Sequence, residues 1–225
     1  MNRAVIIVAG GKGVRMGLST PKQFLEIAGI PILCRTIGQF RSFDPAIEVL
    51  LALPEQYVDY WKRISQAFIR ENSYRIVKGG SERFHSVKNA VDALPADTDL
   101  VAVHDGVRPL VSISCIAQCF ATAALKGNAI PCINPPESIR TIDPQGSSHI
   151  VDRSTVKLIQ TPQVFHADIL RRAYTQPYEP SFTDDASVVE RLGETINLIE
   201  GEKNNIKITT FDDIGYAEYI VGKTK

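Results

Sequence analysis

The sequence is poor in the residues that mark an extracellular or metal-scaffolded protein. It has only four cysteines, and none of them shows the paired spacing of a zinc site or of a disulfide framework. No apolar run is long enough to cross a membrane, and the first residues do not have the pattern of an export signal. We therefore expect a cytoplasmic protein whose cysteines are reduced and buried as small apolar side chains. These are Cys34, Cys115, Cys119 and Cys132.

The chain also lacks an excess of charge of either sign. Lys and Arg together number 25, and so do Asp and Glu, so the formal net charge is zero. Proteins that bind nucleic acid usually carry a basic surplus, so neither a nucleic acid nor a membrane is expected as a partner. Hydrophobic residues make up 44% of the 225 positions, which is enough for a sizeable core. We expect residues 1–225 to form one domain.

Apolar, β-branched runs alternate with segments of helical periodicity through the first 133 residues. This alternation predicts an α/β fold with a doubly wound, mostly parallel, Rossmann-like sheet. Ligands of such sheets bind beyond the carboxyl ends of the strands, where the connecting loops meet. The predicted strands are residues 3–9, 47–53, 74–77, 99–104, 129–133, 196–199 and 206–209. The predicted helices are residues 31–40, 55–71, 81–94, 113–125, 166–174 and 185–192, and a last one from residue 212.

A glycine-rich stretch directly follows the first strand. Residues 10–17 read Gly-Gly-Lys-Gly-Val-Arg-Met-Gly, and Pro-Lys-Gln-Phe follows at residues 21–24. Glycines let bare N–H groups approach an anion, and three cations, Lys12, Arg15 and Lys22, supply countercharge. The Walker pattern and the dinucleotide fingerprint are both broken here, the second because Met16 stands where a glycine is needed. The pattern favours a phosphate-binding loop over the alternative, a glycine-rich surface turn.

A second glycine turn follows the third strand. Residues 79–83 read Gly-Gly-Ser-Glu-Arg, and we expect Ser81 to cap the helix after them. Ser86 would then face back toward the sheet edge. The turn is suited to hold a base or a ribose through backbone groups, although an ordinary capped helix has the same pattern.

The third turn, after the fourth strand, carries the most specific chemistry. Residues 104–109 read His-Asp-Gly-Val-Arg-Pro. Asp105 is suited to hold Mg²⁺, and Arg108 to contact a phosphate. His104 has two interpretations, a core histidine or a catalytic one, and the first is favoured. Because all three glycine or acidic turns follow strands, we expect them to meet at one edge of the sheet.

The alternating pattern stops at residue 134. Residues 134–160 contain prolines and a polar turn without helical periodicity, which predicts a hairpin arm. Residues 183–187, Thr-Asp-Asp-Ala-Ser, are typical of a helix cap with acids in the first turn, or alternatively of metal ligands. Lys207 stands between two isoleucines, and it points either to solvent or to the phosphate-binding edge.

Together these motifs resemble those of the 2-C-methyl-D-erythritol 4-phosphate cytidylyltransferases of the non-mevalonate isoprenoid pathway. The resemblance implies the nucleotide-diphospho-sugar transferase type of sheet with a protruding β-hairpin. The chain departs from the family pattern in two places: residues 105–108 read Asp-Gly-Val-Arg instead of Asp-Ala-Ala-Arg, and Ser138 stands where threonine is frequent. The matching segments are residues 9–17, 21–24, 79–83, 104–109, 151–153, 160–165, 183–187 and 205–209.

The resemblance implies a reaction, a cofactor and a partner. The reaction is transfer of CMP from CTP to 2-C-methyl-D-erythritol 4-phosphate. The acceptor phosphate attacks the α-phosphate of CTP in line and releases pyrophosphate, with Mg²⁺ as the divalent cofactor. The implied assembly is a homodimer in which residues 134–160 form a dimerisation and substrate arm, so that Arg153 acts in the partner's site.

The resemblance also assigns site residues. The implied catalytic residues are Arg15, Lys22 and Lys207. The implied CTP-binding residues are Ala9, Gly10, Gly11, Gly13, Gly80, Arg83 and Ser86. The implied residues for the acceptor, a small polyol phosphate, are Asp105, Arg108, Ser138, Arg153, Thr161 and Lys207, and Asp105 is also the implied metal ligand.

Two other functions remain open at this stage. Ribitol-5-phosphate cytidylyltransferases share the glycine loop and a His-Asp-x-Val-Arg-Pro turn, although residues 151–153 and 183–187 look more like the methylerythritol enzymes. A nucleotide-binding regulatory module without turnover is the second alternative. The set of Arg15, Lys22, Asp105 and Lys207 argues against it, because a binding module does not need cations that stabilise a transition state.

Overall fold

A mixed eight-stranded sheet runs through the centre of the molecule. The computed structural model describes residues 1–10, 21–70 and 73–223. The strands in this part are β1 (Arg3–Val8), β2 (Glu26–Ile27), β3 (Ile30–Pro31), β4 (Glu48–Leu53), β5 (Arg75–Lys78), β6 (Leu100–Asp105), β7 (Asn128–Ile133), β8 (Ile139–Ile142), β9 (Ser148–Val151), β10 (Leu158–Ile159), β11 (Gln163–His166) and β12 (Leu198–Glu200). The α-helices are α1 (Ile32–Phe43), α2 (Val58–Ser65), α3 (Arg83–Asp92), α4 (Ile113–Lys126), α5 (Ala167–Ala173), α6 (Asp185–Glu190) and α7 (Phe211–Lys223).

The sheet has the order β10-β7-β11-β6-β1-β4-β5, and β12 also pairs with β7, in parallel. Strand β1 is parallel to both β4 and β6, and β5 is parallel to β4. Only β10 and β11 run against their neighbours among the described strands of this sheet. The prediction of a mostly parallel sheet is therefore confirmed.

Alternate side chains of β1 enter different halves of the core, as the pleat of a strand requires. Val5 and Ile7 pack with the buried residues of α1, α2 and α4. Ala4 and Ile6 pack with those of α3, α5 and α6. Helices thus cover both faces of the sheet, which explains why its central strands are continuous apolar runs rather than alternating ones. The four cysteines are free and buried, as expected.

Three predictions of secondary structure are wrong or incomplete. Residues 206–209 are irregular rather than a strand, although Ile208 donates its N–H to the Val107 carbonyl at 2.9 Å. Strand β11 was missed, because four residues between a proline and a helix give too short a pattern for an assignment. The predicted helix at residues 55–71 is a 3₁₀ turn followed by the shorter α2, and its predicted end lies outside the described residues.

The predicted hairpin is present within residues 134–160. Strands β8 and β9 pair antiparallel in a separate two-stranded sheet, with Ile139 opposite Val151. The turn between them closes through Gly146, whose φ of +87° suits glycine. The last part of the segment returns to the core, since β10 pairs with β7. No helix in the described ranges is long and apolar enough to span a bilayer.

Candidate active site

Residues 9–10, which directly follow β1, and the loops after β5 and β6 meet at the carboxyl edge of the sheet, called the rim below. Gly79 donates its N–H to the carbonyl of Leu53, and Gly106 donates to the carbonyl of Val8, each at 2.9 Å. The first bond connects the loop after β5 to the end of β4, and the second connects the loop after β6 to the end of β1. The convergence of turns expected from the sequence is therefore present in the described residues.

Ser86 lies where the first and second glycine turns approach each other. Its hydroxyl accepts the Gly80 N–H at 2.9 Å and donates to the Glu82 carbonyl at 3.1 Å. A Cβ on Gly10 would lie 3.7 Å from this hydroxyl, and one on Gly80 would clash with His85. The predicted CTP-binding residues Gly10, Gly80 and Ser86 are thus together.

The predicted cap of α3 is wrong. Glu82 occupies the N-cap position without a side-chain cap bond, and Ser81 instead bonds the ring of His85 at 3.0 Å. The serine that satisfies the turn is Ser86, which lies one turn into the helix.

Three cations surround Asp105 at the end of β6. Its Oδ2 lies 3.2 Å from Arg108 Nε and 3.1 Å from Lys207 Nζ, and its Oδ1 lies 3.9 Å from Arg83 Nε. We call these four residues the Asp105 cluster. Burial by itself would raise the pKa of Asp105, but Arg83, Lys207 and Arg108 outweigh it and hold the pKa well below its usual range. The carboxylate is therefore ionised under all physiological conditions.

Arg83 is anchored from behind by a buried carboxylate. Its Nη2 donates to Asp185 Oδ2 at 2.6 Å, and the Tyr174 hydroxyl donates to Asp185 Oδ1 at 2.6 Å. Burial would lower the pKa of Arg83, but the charge and hydrogen bond of Asp185 raise it. Burial and Asp185 also raise the pKa of Tyr174, so that its hydroxyl stays a donor. Arg83 consequently presents a fixed positive charge at the rim.

The two acids of residues 183–187 have different tasks. Asp184 caps α6 by accepting the Ser187 N–H at 2.9 Å, in a reciprocal capping box, as one of the two interpretations expected. Asp185 is completely buried against Arg83, which nothing in the sequence pattern indicated. No cluster of three or more acidic, histidine or cysteine side chains suited to a metal occurs in the part of the chain that the structure describes.

His104 is a buried, neutral histidine. Its Nε2 lies 3.1 Å from the Arg108 carbonyl, which can only accept, so Nε2 carries the proton. Its Nδ1 accepts from the Thr161 hydroxyl at 3.0 Å, and that hydroxyl accepts the Asp105 N–H at 3.1 Å. Burial lowers the pKa of His104 to about 4. The geometry favours the core interpretation, because His104 and Thr161 fix the backbone of the cluster.

Lys207 faces the rim rather than solvent alone. It is carried by residues 201–208, called the Lys207 loop below, and remains 43% exposed. Asn205 anchors this loop, donating from Nδ2 to the Thr161 carbonyl at 2.8 Å and accepting Arg108 Nη1 on its own carbonyl at 2.8 Å. One loop thus positions two of the cations around Asp105.

The glycine in the turn after β6 lies in a confined space. A Cβ on Gly106 would lie 3.1 Å from both Leu33 Cδ1 and the Val8 carbonyl oxygen. An alanine at this place requires its neighbours to yield by a few tenths of an ångström. The glycine fits this chain without that adjustment.

The remaining predicted site residues are not all at the rim. Gly11, Gly13 and Arg15 lie outside the described residues. Lys22 is half-buried in a 3₁₀ turn whose Gln23 amide donates to the carbonyl of Ala9 at 2.8 Å, so this turn is tied to the end of β1.

Ser138 and Arg153 lie on the exposed arm. Arg153 donates to the Pro136 carbonyl at 3.3 Å, and the described contacts do not link either residue to the Asp105 cluster of the same chain. Sequence reasoning missed Tyr174 and Asp185, which carry no motif that points to Arg83.

The donor set at Asp105 fits Mg²⁺ under one condition. Mg²⁺ commonly takes one or two carboxylate oxygens and completes its shell with water and substrate phosphates. Oδ2 of Asp105 is paired with two cations, whereas among the described residues the only cation near Oδ1 is the more distant Arg83. The surrounding positive charge repels a bare divalent ion, so the residues fit Mg²⁺ that arrives with a polyphosphate.

Comparison with known proteins gives the family. The model of the family IspD, 2-C-methyl-D-erythritol 4-phosphate cytidylyltransferase, matches residues 3–223. The chain belongs to this family. It is 47% identical to the 2-C-methyl-D-erythritol 4-phosphate cytidylyltransferase of Bacteroides fragilis, over 98% of this chain and 100% of that one.

Solved structures of the IspD family share the fold. The 2-C-methyl-D-erythritol 4-phosphate cytidylyltransferase of Thermus thermophilus has a TM-score of 0.79 at 31% identity, covering 99% of this chain and 100% of that one. The 4-diphosphocytidyl-2C-methyl-D-erythritol synthase of Anaerococcus prevotii has a TM-score of 0.83 at 26% identity, covering 98% of each chain. The resemblance inferred from the motifs is thereby confirmed, and the ribitol-phosphate alternative is not favoured.

Proposed function

We propose that this chain transfers CMP from CTP to 2-C-methyl-D-erythritol 4-phosphate, giving 4-diphosphocytidyl-2-C-methyl-D-erythritol and pyrophosphate. The observation that carries the proposal is the convergence of Arg83, Arg108 and Lys207 on Asp105 at the rim. Such a cluster of fixed cations is suited to anions on both sides of a phosphoryl transfer. Membership of the IspD family names the two substrates.

The reaction needs no covalent intermediate, because the acceptor phosphate is already an anionic nucleophile. The barrier is repulsion between two anions and their alignment, so positioned cations lower it most. Arg108 and Lys207 hold the acceptor phosphate for in-line attack on the α-phosphate. Asp105 orients both cations through Oδ2, and Thr161 supports the Asp105 backbone.

On the nucleotide side, rigid backbone groups and one anchored cation bind CTP. Gly80 and Ser86 lie around the base and ribose together with the turn at Ala9 and Gly10. Arg83 contributes a charge that Asp185 holds in place. We assign Arg15 and Lys22 to the triphosphate and to the transition state, and Gly11 and Gly13 to the same loop.

Mg²⁺ is part of the proposal, with Asp105 Oδ1 as its protein ligand. When bound with the triphosphate, the ion would reduce repulsion and stabilise the leaving pyrophosphate. The chain's own residues hold the two substrates in register and keep the surrounding charge positive.

We further propose one cytidylyltransferase domain over residues 1–225, with residues 134–160 as the arm of a homodimer. Two observations support a contact between the arm and a second subunit. Ile142 and Ile150 are 66% and 78% exposed on the hairpin, which is unfavourable for large apolar side chains in water. A groove of about 970 Å³ lies at the arm's base, and its lining includes the three cations Arg153, Lys157 and Lys203. The cytoplasmic location stays a prediction.

The test of the function is pyrophosphate release from CTP and Mg²⁺, with methylerythritol 4-phosphate and ribitol 5-phosphate offered separately. Release only with the first acceptor is expected. Release only with the second would show that the acceptor assignment is wrong. If folded protein releases no pyrophosphate with either acceptor, the alternative of a nucleotide-binding module without turnover would be favoured.

A further inference from the structure

Besides Asn205, the buried side chain of Gln160 holds the Lys207 loop. Its Oε1 accepts the Glu202 N–H at 3.0 Å, and its Nε2 donates to the Glu202 carbonyl at 2.8 Å. Nε2 also lies 3.3 Å from the Asn205 carbonyl. The side chain is 4% exposed. It therefore pairs with the main chain of the loop much as a neighbouring strand would.

The surroundings are shaped for this amide. A Cβ on Gly201 would clash with Gln160 Oε1 and lie 3.1 Å from the backbone nitrogen and oxygen of Cys132. Only glycine leaves room for the amide at this place. The carboxylate of Glu202 meanwhile accepts the Ser112 N–H at 3.0 Å at the start of α4. Glu202 is thus held at its main chain by Gln160 and at its carboxylate by Ser112.

Gln160 also stands at a junction in the chain. It follows β10, the returning end of the arm, and donates its own N–H to the Pro131 carbonyl at 2.8 Å. The next residue is Thr161, which contacts His104 and Asp105. The Asn205 carbonyl that Gln160 approaches is the same one that accepts Arg108 Nη1. One side chain therefore connects the end of the arm to both acceptor-side cations.

We propose that Gln160 is a positioning residue for acceptor binding. It holds the Lys207 loop so that Lys207 and Arg108 stay paired with the Asp105 carboxylate. The proposal rests on the function proposed above. The nucleotide side has separate supports, Asp185 for Arg83 and Ser86 for Gly80. Losing the Gln160 amide should therefore weaken acceptor binding much more than CTP binding.

The first test is Gln160→Glu, which keeps the shape and one acceptor oxygen but removes the donor to two carbonyls. We expect the KM for methylerythritol 4-phosphate to rise about tenfold, as loss of a buried hydrogen-bonded amide predicts. The KM for CTP should change by less than about twofold on the same grounds. An equal rise of both constants, or no rise of either in folded protein, overturns the proposal.

Gln176→Glu is the matched control. The Gln176 Nε2 also donates to two main-chain carbonyls, those of Ala173 at 3.0 Å and Val188 at 2.9 Å, without a contact to the Lys207 loop among the described residues. Its loss should lower the melting temperature and leave both KM values in place. A shift of the acceptor KM in this control would show that general loosening explains the effect.

A second route removes the amide by crowding. Gly201→Ala pushes against Gln160 Oε1, whereas Gln160→Met has similar shape, no donor and no added charge. Both single variants should raise the acceptor KM and leave the CTP KM in place. An unchanged acceptor KM in folded Gln160→Met protein overturns the proposal, and this variant replaces Gln160→Glu if the carboxylate prevents folding.

Hydrogen exchange separates this proposal from the proposed function. Without any substrate, amides of residues 201–208 should exchange faster in Gln160→Glu than in wild type or Gln176→Glu. Exchange that is unchanged overturns the hold of Gln160 on the loop. If wild-type protein releases no pyrophosphate, the proposed function fails, while exchange still decides whether Gln160 holds the loop.

Discussion

The Asp105 cluster and the arm are built on opposite principles. Each charge in the cluster has a partner within the same chain, and Asp105 and Arg108 keep only 11% of their side chains exposed. The hairpin of the arm carries two large apolar side chains in water, Ile142 and Ile150, and the only described hydrogen-bond partner of Arg153 is a carbonyl of the arm. The cluster is therefore complete in one chain, whereas the arm has surface suited to a second molecule.

The largest expected effect is on the buried support of the cluster. Asp185→Asn leaves the shape but removes the negative charge beside Arg83, which stays buried without its counterion. We expect the free energy of unfolding to fall by about 3–5 kcal/mol, the usual cost of breaking a buried ion pair. Urea denaturation followed by circular dichroism measures the loss.

Asp184→Asn is the neighbouring control for that change. Asparagine is an equally good N-cap, so this variant should lose only about 1 kcal/mol, for the acceptor that Asp184 offers to Gln163. Similar losses in the two variants would mean that the buried pair contributes no more than an ordinary cap, and the contrast with the arm would weaken.

Lys22→Ala tests the catalytic side of the comparison. Removing a cation that stabilises transition-state charge typically lowers kcat about 10²–10³-fold, and we expect the same here with the fold intact. Arg15→Ala should behave alike. Lys88→Ala is the control, because Lys88 pairs with Asp92 on an exposed helix face. Near-normal kcat in folded Lys22→Ala protein would remove Lys22 from the mechanism.

His104 gives the cluster a pH signature. Its pKa is lowered from 6.5 to about 4 by burial, so the unfolded chain binds more protons between these values. The contribution of His104 to the free energy of unfolding is fully present above pH 6.5. It is lost as the pH drops through this window, by about 3 kcal/mol in total. Urea midpoints measured from pH 7 to pH 4.5 should show the decline, and His104→Gln should flatten it. An equally steep decline in the variant would assign the effect to other groups.

The sequence predicts the rim better than it predicts what supports the rim. Glycines and charges directly after apolar strands identified Gly80, Arg83, Asp105 and Arg108, because the carboxyl ends of parallel strands must meet. Asp185 was visible only as a helix-cap acid, since local pattern cannot tell which of two adjacent acids turns inward. Such partners are set by tertiary packing.

The arm shows the complementary limit. Its hairpin is local, and the polar turn at residues 145–148 predicts it. The pairing of β10 and β11 with the sheet is not local. Each segment is also too short to show a period, so the sequence does not predict it as a strand. Gln160 lies between them and its long-range amide bonds have no sequence signal at all.

The smallest effect we expect is at Arg153, and it tests whether the arm contacts the acceptor. Arg153→Ala should raise the KM for methylerythritol 4-phosphate about tenfold, as loss of a charge-assisted hydrogen bond predicts, and leave the CTP KM and the fold in place. Initial rates at subsaturating acceptor measure it. An equal change of both KM values would contradict an acceptor contact.

Mixing two defective subunits then tests whether that contact crosses between chains. In a mixed dimer of Arg153→Ala and Lys207→Ala subunits, an arm that reaches its partner creates one site with both residues intact and one site that lacks both. Activity of unfolded and jointly refolded mixtures should therefore exceed that of either variant alone. An arm that serves its own chain leaves every site short of one residue, because neither subunit carries both. Absence of recovery in mixtures shown to contain mixed dimers would place Arg153 beside the Asp105 cluster of its own chain, and the arm would then serve the cluster from within.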